Sequence, residues 1–250
     1  MSAFRIAALI PSYDNPDTVR AVVSAVRAYV STVLVVDDGS GPQGRAACRA
    51  LADEGLAIVV RHDKNAGKGA AVKTGLRELA RLGFSHAFQL DADGQHAIAD
   101  MPRFLAAAEA NPDALILGSP EFDRRAPRAR LIGRQITRFW THLETLGPVI
   151  DDAMCGFRVY PIERALSAAA HGNALDFDPE VAVKIAWNGT PVLNLLTRVS
   201  DQGGRAAGGS NFRMVRDNAR ISWLHTRLML SLLRRLVLRR GRVSVRRSPF

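Results

Sequence analysis

The stretch Thr32-Val-Leu-Val-Val-Asp-Asp-Gly-Ser40 decides the fold, because it joins a run of β-forming residues to an acidic turn. Two more strand-and-turn pairs occur along the chain: Ile6–Ile10 with Pro11-Ser-Tyr-Asp14, and Ala87–Leu90 with Asp91-Ala-Asp-Gly-Gln-His96. Strands that are apolar throughout are typical of a sheet covered on both faces. The pattern therefore predicts buried parallel strands that each end in a polar turn.

Short strands alternate with longer helical patterns over roughly the first 118 residues. The other strand candidates are Ala57–Val60 and Ala114–Leu117, and the helical patterns cover Thr18–Tyr29, Arg45–Ala52, Gly69–Leu82 and Met101–Ala110. This alternation predicts the α/β class, with a doubly wound, mostly parallel sheet flanked by helices. Because crossovers are right-handed, the carboxyl ends of the strands share one edge, where ligands bind. The three acidic turns are expected to line a single crevice there.

The second half of the chain is less regular. The basic segment Arg124–Arg138 contains Pro127 and predicts a mobile connection that leads into a helix near Leu131–Leu146. The later patterns predict a strand at Cys155–Tyr160, a helix at Pro179–Trp187, a strand at Val192–Leu196 and a flexible glycine-rich segment at Gly203–Gly209.

The positive charge lies at the C-terminal end. The chain has 250 residues and a net charge of +10, and residues 212–250 hold eleven arginines and one acid, Asp217. This segment accounts for the whole excess, so a uniformly basic nucleic-acid-binding protein is disfavoured and no nucleic-acid partner is expected. With 47% hydrophobic and 23% charged residues, the remainder reads as an ordinary folded body.

Other sequence features indicate the cellular compartment. The two cysteines, Cys48 and Cys155, form neither a disulfide framework nor a zinc-binding spacing, so a reducing cytosol is the default expectation. The apolar run at the N-terminus is too short for a signal peptide, since Pro11 ends it. No uncharged apolar stretch reaches the length of about 18 residues that a spanning helix needs.

Residues Phe212–Leu238 have a helical pattern with an arginine stripe. Five arginines fall within about 60° of one another on a helical wheel, and apolar residues fill a broad opposite face. An interfacial helix has this form, with its arginines facing anionic lipid headgroups. We expect the first part to pack on the body and the arginine-rich end to contact a membrane, through Arg227, Arg234, Arg235, Arg239 and Arg240. A helix packed wholly on the body and an RNA-binding tail are the alternatives.

Asp91 and Asp93 give the sharpest chemical signal. Two carboxylates at positions i and i+2 of an extended segment point to the same side and repel each other. A divalent cation relieves that repulsion, and Mg²⁺ prefers oxygen ligands that include water and substrate phosphates. A plain Asp-Gly turn is the alternative. Three acidic turns on one predicted edge favour the metal site.

Two other turns carry candidate nucleotide ligands. Asp38 could bind a base or ribose, as acids do at this position in dinucleotide sites, or it could simply cap a helix together with Ser40. The stretch Asn65-Ala-Gly-Lys-Gly69 opens a helix whose N-terminus favours anions, and Lys68 adds a positive charge. Neither a P-loop nor a dinucleotide fingerprint is present, because Val72 stands where glycine is needed.

Together these motifs resemble those of family 2 glycosyltransferases, which have the GT-A fold. The chain is most similar to the branch of dolichyl- and polyprenyl-phosphate mannosyl- and glucosyltransferases. The resemblance covers residues 5 to about 200, and its segments are Pro11–Asp14, Asp37–Ser40, Asn65–Gly69, Asp91–His96, Asp152–Arg158 and Phe177–Glu180. Segments near Cys155–Pro161 and Asn211–Arg227 also resemble bacterial proteins encoded with aryl-polyene or xanthomonadin-type pigment and lipid genes.

The resemblance implies a domain layout and a set of roles. A GT-A domain would span residues 1–211, with a nucleotide-binding half at about 1–118 and an acceptor half at about 119–211, and the basic helix and tail would follow at 212–250. The implied nucleotide-sugar ligands are Pro11, Tyr13, Asp14, Asp38, Lys68, Asp91, Ala92 and Asp93. The implied ligands of Mg²⁺ or Mn²⁺ are Asp91, Asp93 and Gln95. Asp93 and Asp152 would be catalytic, and Arg158, Asp178 and Glu180 would border the acceptor.

Two positions depart from the pattern of the branch. Gly118-Ser-Pro120 stands where the branch often has Gly-Ser-Arg, so the arginine that would help to bind phosphate is missing, and Arg124, Arg125 or Arg128 would have to replace it. Met154 stands where glutamine is frequent.

The implied activity is an inverting, metal-dependent transfer of a sugar from a UDP- or GDP-sugar to a membrane lipid, with polyprenyl phosphate as the main candidate acceptor. The enzyme would be cytoplasmic and peripheral at the inner face of the cytoplasmic membrane. Alternatives are glycosylation of a hydroxyl on a pigment or glycolipid with Asp152 as the base, a nucleotidyltransferase, and a non-catalytic membrane- or RNA-binding adaptor.

Overall fold

The computed structural model describes residues 4–122, 128–199 and 214–238. The strands are β1 (Ile6–Ser12), β2 (Val33–Asp37), β3 (Ile58–Arg61), β4 (His86–Gln89), β5 (Leu115–Phe122), β6 (Arg158–Pro161) and β7 (Val192–Val199). The helices are α1 (Val19–Val26), α2 (Pro42–Asp53), α3 (Lys68–Arg81), α4 (Met101–Ala110), α5 (Arg128–Glu144), α6 (Ile162–Ser167), α7 (Phe177–Trp187) and α8 (Met214–Leu238). The sequence predictions for Arg124, Arg125, Gly203–Gly209, Arg239 and Arg240 fall outside the described residues.

The seven strands form one sheet in the order β3-β2-β1-β4-β6-β5-β7. All neighbouring pairs are parallel except those of β6, which runs antiparallel to β4 and β5. The predicted mostly parallel α/β sheet is therefore confirmed. Because β1, β2 and β4 run in the same direction, the turns that follow them meet at one edge.

The apolar strands are covered on both faces, as their sequences predict. In β1, Ala7 and Leu9 belong to one core cluster, while Ala8 and Ile10 belong to the cluster on the other face. The first face is covered mainly by α3, α7 and α8, and the second by α1, α2 and α4. Each fully buried leucine or isoleucine contributes about 1.5–3 kcal/mol relative to an exposed one, so both layers hold the sheet.

All seven strands differ from their predicted bounds by at least one residue, and the differences in β5 and β6 have identifiable causes. β5 extends to Phe122 instead of ending at Leu117, because β7 pairs with it along its entire length. β6 begins at Arg158 rather than Cys155, because the preceding turn folds back so that its carbonyl groups can accept hydrogen bonds from the Arg158 side chain. Both differences arise from tertiary contacts that a local sequence pattern does not contain.

Helix α8 docks on the body through one face. Leu224, Leu228 and Leu232 are buried in the core cluster of the first sheet face. His225 Nδ1 lies 2.8 Å from Glu144 Oε1 at the end of α5, and both side chains are buried. Within the described residues, none of the helices is both long enough and apolar enough to cross a bilayer.

The docking of α8 predicts different costs for the same substitution at two positions of the helix. Leu228→Ala should lower the free energy of unfolding by about 2–5 kcal/mol, because it leaves a cavity in the core. Leu230→Ala should change it by at most about 0.5 kcal/mol, because Leu230 is 60% exposed. Urea denaturation measures both values, and equal costs would show that α8 does not pack in this way.

Candidate active site

Hydrogen bonds join the three acidic turns at the carboxyl edge of the sheet. The backbone N–H of Asp14 donates to Ser40 Oγ over 2.9 Å, and the N–H of Gly41 donates to Asp14 Oδ1 over 2.8 Å. The hydroxyl of Thr18 donates to the carbonyl oxygen of Ala92 over 2.6 Å. The turns after β1, β2 and β4 therefore form one connected rim, as the sequence predicts.

The first turn places its residues at different depths. Pro11 is buried in β1, where it pairs with Val36 of β2. Tyr13 and Asp14 are half-buried at the rim, and Asp14 has a positive φ of 51°. Ala92 is buried below the third turn. The structure brings these four residues together, and their contact with a nucleotide stays a prediction.

Asp38 holds the neighbouring loop in place. Its Oδ1 accepts from the N–H of Ala66 over 3.0 Å, its Oδ2 accepts from the N–H of Gly67 over 2.8 Å, and its side chain is 2% exposed. His62 Nδ1 also lies 2.7 Å from Oδ1. These contacts occupy both carboxylate oxygens, so Asp38 shapes the entrance of α3. Direct binding of a nucleoside by Asp38 stays a prediction.

Lys68, the first residue of α3, binds two carboxylates. Its Nζ lies 2.7 Å from Asp91 Oδ1 and 3.0 Å from Asp178 Oδ2. Burial alone would lower the pKa of Lys68, but the charges of Asp178 and Asp91 outweigh it and raise that pKa well above its ordinary value. The lysine therefore stays charged and connects the third acidic turn to the start of α7.

Asp91 and Asp93 lie in different electrostatic surroundings. Burial raises the pKa of Asp91, but Lys68 and His96 outweigh that effect and lower it below its ordinary value. Burial, followed by the charge of Asp91, raises the pKa of Asp93. Asp93 Oδ1 accepts a hydrogen bond of 3.0 Å from the N–H of Gln95. The pair is therefore close enough to repel, and a cation beside Asp93 would relieve the cost of ionising it.

The donor set fits a divalent metal that takes part of its shell from the substrate. Asp91, Asp93 and Gln95 offer oxygen atoms, which Mg²⁺ and Mn²⁺ accept. Among the described residues, no cluster of three or more histidines, cysteines or acids is placed to hold a metal ion. A metal at this turn would therefore need oxygen ligands from a bound diphosphate and from water.

Gly156 makes room for Asp91. A Cβ atom at Gly156 would lie 2.5 Å from Asp91 Oδ2. His96 Nε2 lies 3.4 Å from the same oxygen, and the His96 ring packs against Phe157 with ring centroids 5.3 Å apart. The segment Asp152–Arg158 therefore lies directly against the third acidic turn.

Arg158 is fully buried in this structure, and its expected place beside the acceptor stays a prediction. Its guanidinium donates to the carbonyl oxygens of Cys155, Ala153 and Asp178 over 2.8, 2.9 and 3.1 Å. These bonds fix the turn before β6 and the start of α7. Because no part of the side chain reaches solvent, Arg158 acts in the structure as a positioning residue.

Glu180 is also buried, and its carboxylate binds a loop, so its expected place beside the acceptor likewise stays a prediction. Its Oε2 accepts from the N–H groups of His171 and Gly172 over 3.0 and 2.7 Å. Lys184 lies 2.8 Å from Oε1. The loop that Glu180 holds in turn packs on α3, since the N–H of Ala70 donates to Asn173 over 3.1 Å. Asp178 alone of the three predicted acceptor residues contacts a charged group of the crevice, Lys68.

Asp152 has a partner that the sequence analysis missed. Its Oδ1 accepts a hydrogen bond of 2.7 Å from the N–H of Met154, and its Oδ2 forms an ion pair with Arg134 of α5. Arg134 lies in the segment Arg124–Arg138 that the sequence analysis describes as basic, but nothing in the local pattern indicates which acid it meets. Arg134 is not among Arg124, Arg125 and Arg128, which the sequence offered as replacements for the arginine missing after Ser119.

Comparisons with known proteins agree with this geometry. The sequence model of glycosyl transferase family 2 matches residues 7–163. A polyprenol monophosphomannose synthase of Mycolicibacterium smegmatis is 30% identical over 84% of this chain and 83% of its own length. An undecaprenyl-phosphate mannosyltransferase of Micrococcus luteus is 30% identical over 62% of this chain and 66% of its own length.

A solved structure shares the fold at low identity. Glucosyl-3-phosphoglycerate synthase from Mycobacterium tuberculosis, in complex with Mn²⁺ and UDP-glucose, superposes with a TM-score of 0.68 and 13% identity. The match covers 92% of this chain and 79% of that chain. This likeness shows that the architecture of the chain is that of a GT-A glycosyltransferase.

The close approach of the second turn to the loop that Asp38 holds predicts an unequal cost for two glycine substitutions. Gly39 and Gly55 both have positive φ angles, but a Cβ at Gly39 would lie 2.4 Å from the backbone of Lys64, whereas one at Gly55 meets nothing within 4 Å. Gly55→Ala should cost about 1–2 kcal/mol of unfolding free energy from its backbone conformation alone. Gly39→Ala should cost that amount plus about 1–3 kcal/mol for overpacking, as measured by urea denaturation. Equal losses would show that the loop does not approach Gly39 this closely.

Proposed function

We propose that this chain, which belongs to glycosyl transferase family 2, transfers a sugar from a UDP- or GDP-sugar to polyprenyl phosphate. The observation that carries the proposal is the position of Lys68, which joins Asp91 of the donor rim to Asp178 beside the acceptor half. A negatively charged diphosphate entering at the carboxyl edge meets this cation and the N-terminus of α3. The polyprenyl-phosphate acceptors named for the relatives support the choice of acceptor.

The proposed donor site uses the connected rim. Tyr13 and Asp14 would border the nucleoside, and the loop held by Asp38 would approach the base or the phosphates. Asp91, Asp93 and Gln95 would hold Mg²⁺ or Mn²⁺ together with the diphosphate. When bound, the metal would offset the negative charge that develops on the departing diphosphate.

The proposed reaction is a single displacement at the anomeric carbon. An oxygen of the acceptor forms a bond to that carbon while the bond to the diphosphate oxygen breaks, and the nucleoside diphosphate leaves with the electron pair. Attack from the side opposite the leaving group inverts the anomeric configuration. Lys68 would then stabilise the leaving diphosphate by its charge.

The contacts of Asp152 favour a phosphate acceptor. A hydroxyl acceptor needs a base to take its proton, whereas an ionised phosphate needs none. Both oxygens of Asp152 are already engaged, by the N–H of Met154 and by Arg134. We infer that Asp152 orients Arg134, whose guanidinium is suited to binding the acceptor phosphate in place of the arginine missing after Ser119. The pigment or glycolipid hydroxyl remains the second candidate acceptor.

Membrane association completes the proposal. A polyprenyl phosphate stays in the bilayer, so the enzyme has to work at its surface, and we propose a peripheral location on the cytoplasmic face. The arginine-rich end of the chain, from Arg227 through Arg240, would attract anionic lipids at about 1 kcal/mol for each residue near the surface. The family match disfavours a nucleotidyltransferase or a non-catalytic adaptor.

Donor binding tests the rim. With Mn²⁺ or Mg²⁺ present, either a UDP-sugar or a GDP-sugar should raise the melting temperature of the purified protein. Asp93→Asn should abolish that shift and reduce transfer by at least about 100-fold, because a charged ligand next to the diphosphate is lost. Asp53→Asn, an equal change at an exposed helix position, serves as the control. Undiminished metal-dependent transfer by Asp93→Asn would refute the role of Asp93.

Asp152→Asn separates the two acceptor classes. With polyprenyl phosphate, kcat should stay within about tenfold of the wild-type value, because no proton has to be removed from the acceptor, and the KM for the acceptor should rise as Arg134 loses its partner. Steady-state kinetics with purified lipid phosphate gives both parameters. A loss of about 10²–10⁴-fold in kcat would instead identify Asp152 as a general base and the acceptor as a hydroxyl.

A further inference from the structure

Helix α5 carries its large apolar side chains on the outside of the molecule. Ile136 and Phe139 are 53% and 62% exposed, and the outward stripe consists of Ile132, Ile136, Phe139, Leu143 and Leu146, the last just beyond the helix end. Their spacing of four and three residues places them along one face over about four helical turns. A surface helix normally buries such a stripe.

The opposite face of α5 is polar and buried, so the usual arrangement of an amphipathic surface helix, with its apolar face inward, is reversed. Thr137, Thr141 and Glu144 are at most 5% exposed, and the hydroxyl groups of both threonines donate to carbonyl oxygens of the preceding turn. Arg134 lies on this inner side, where it pairs with Asp152. Within the described residues, α5 therefore packs on the body through its polar side, and the apolar stripe is left exposed.

Helix α8 shows an outward apolar face next to it. Trp223 and Val237 are 63% and 77% exposed, and Leu230 and Leu233 lie on the same outer side, opposite the leucines that dock in the core. The two helices touch, since the ring of His225 stacks on Trp140 with centroids 5.9 Å apart. Two adjacent helices therefore expose large apolar side chains away from the body.

The surroundings of these stripes are basic and nearly free of acids. The exposed arginines described in the two helices are Arg138, Arg220 and Arg234, whereas Arg134, Arg227 and Arg235 contact Asp152, Glu180 and Trp187. The acids in the two helices are Glu144 and Asp217. Glu144 is buried, and residues 239–250 after α8 add five arginines and no acid. A face with apolar side chains between arginines complements the acyl-chain boundary and the headgroups of an anionic bilayer.

We propose that the outer faces of α5 and α8 form a membrane-contact surface, in which α5 inserts its stripe between lipid headgroups. This goes beyond the arginine tail, because α5 belongs to the body and lies before the segment Asp152–Arg158. The consequence of this surface for catalysis rests on the proposed function. Under that function, the helix that contacts the bilayer is also the helix that brings Arg134 to Asp152. A lipid phosphate at the headgroup level would then reach the acceptor side without leaving the membrane.

A second copy of the chain fits this surface less well. A symmetric contact between two copies would place the arginine flanks of the same helices close together, and the acid beside them, Asp151, already lies 3.9 Å from Arg138 of its own chain. Anionic lipids supply negative charge for these flanks. Association of two copies is therefore an outcome of the test and not the proposal.

Vesicle binding tests the surface without donor or acceptor. The full-length protein is sedimented with vesicles of equal parts phosphatidylcholine and phosphatidylglycerol, which contain no polyprenyl phosphate. Ile136→Ser/Phe139→Ser should weaken binding by at least about tenfold, because two inserted apolar side chains are lost while the charge is unchanged. If the double variant binds these vesicles as tightly as the wild-type protein does, the proposal is overturned.

A matched pair of charge variants separates insertion from simple repulsion. Phe139→Glu and Gln135→Glu add the same charge to exposed positions of α5, but only Phe139 lies on the stripe. Phe139→Glu should abolish binding, and Gln135→Glu should weaken it only slightly. Equal weakening would mean that charge alone attracts the protein to the vesicle, which would refute insertion of α5.

Light scattering coupled to gel filtration measures the oligomeric state and so distinguishes a lipid partner from a second copy of the chain. A monomeric wild type supports a surface that is free to bind lipid. If the wild type is a dimer, and Phe139→Glu dissociates it without weakening vesicle binding, the partner of the surface is a second copy of the chain and the proposal is refuted. The melting temperature with a nucleotide sugar is measured on the same variants. Because donor binding does not involve the stripe, a variant that loses vesicle binding but keeps the donor shift tests the surface independently of the proposed activity.

Discussion

The ammonium group of Lys68 is the interaction on which the site depends. It lies within 3.0 Å of the carboxylates of Asp91 and Asp178, which come from the rim after β4 and from the start of α7. Arg158 extends this group inward, 3.8 Å from Asp178, so two cations balance two acids between the carboxyl edge of the sheet and the core. Removing one member would leave buried charge uncompensated, which is why the four residues act as a unit. The turn after β4 and the start of α7 are thereby joined by charge as well as through the sheet.

A second connection relates the acceptor side to the surface. Arg134 reaches inward from α5 to Asp152, while the next turns of the same helix expose Ile136 and Phe139. The buried contact of His225 with Glu144 fastens α8 to the end of α5. The outer faces of these helices are therefore connected to Asp152 through direct side-chain contacts. In this arrangement the proposed membrane contact and the proposed acceptor site share one structural element.

The strands and the edge of the sheet that carries the site could be predicted from the sequence, because their evidence is local. An apolar run such as Val33–Val36 predicts a strand that is covered by helices on both faces of the sheet. The position of each acidic turn directly after such a run places the turn at the end of a strand. Helix α6 was not predicted, and β5 proved longer than its apolar run, because pairing with β7 and not composition sets its end. For the site, Lys68, Asp91 and Asp93 were identified by residue type and position. Arg158 and Glu180 are assigned to the acceptor by resemblance alone, and the structure adds that both side chains are buried among hydrogen-bond partners from distant segments.

The sequence by itself determined the α/β class, the order of its elements and the gathering of acidic turns at one edge, since these follow from periodicity and from the handedness of crossovers. Tertiary structure alone decided which charged groups are engaged: Asp38 with the loop before α3, Asp152 with Arg134, and Lys68 with two acids at once. It also decided that α5 faces the body with its threonines and solvent with its isoleucines and Phe139. The physical reason is that a side chain's partners come from segments distant along the chain, whereas a local pattern specifies only what kind of partner it needs.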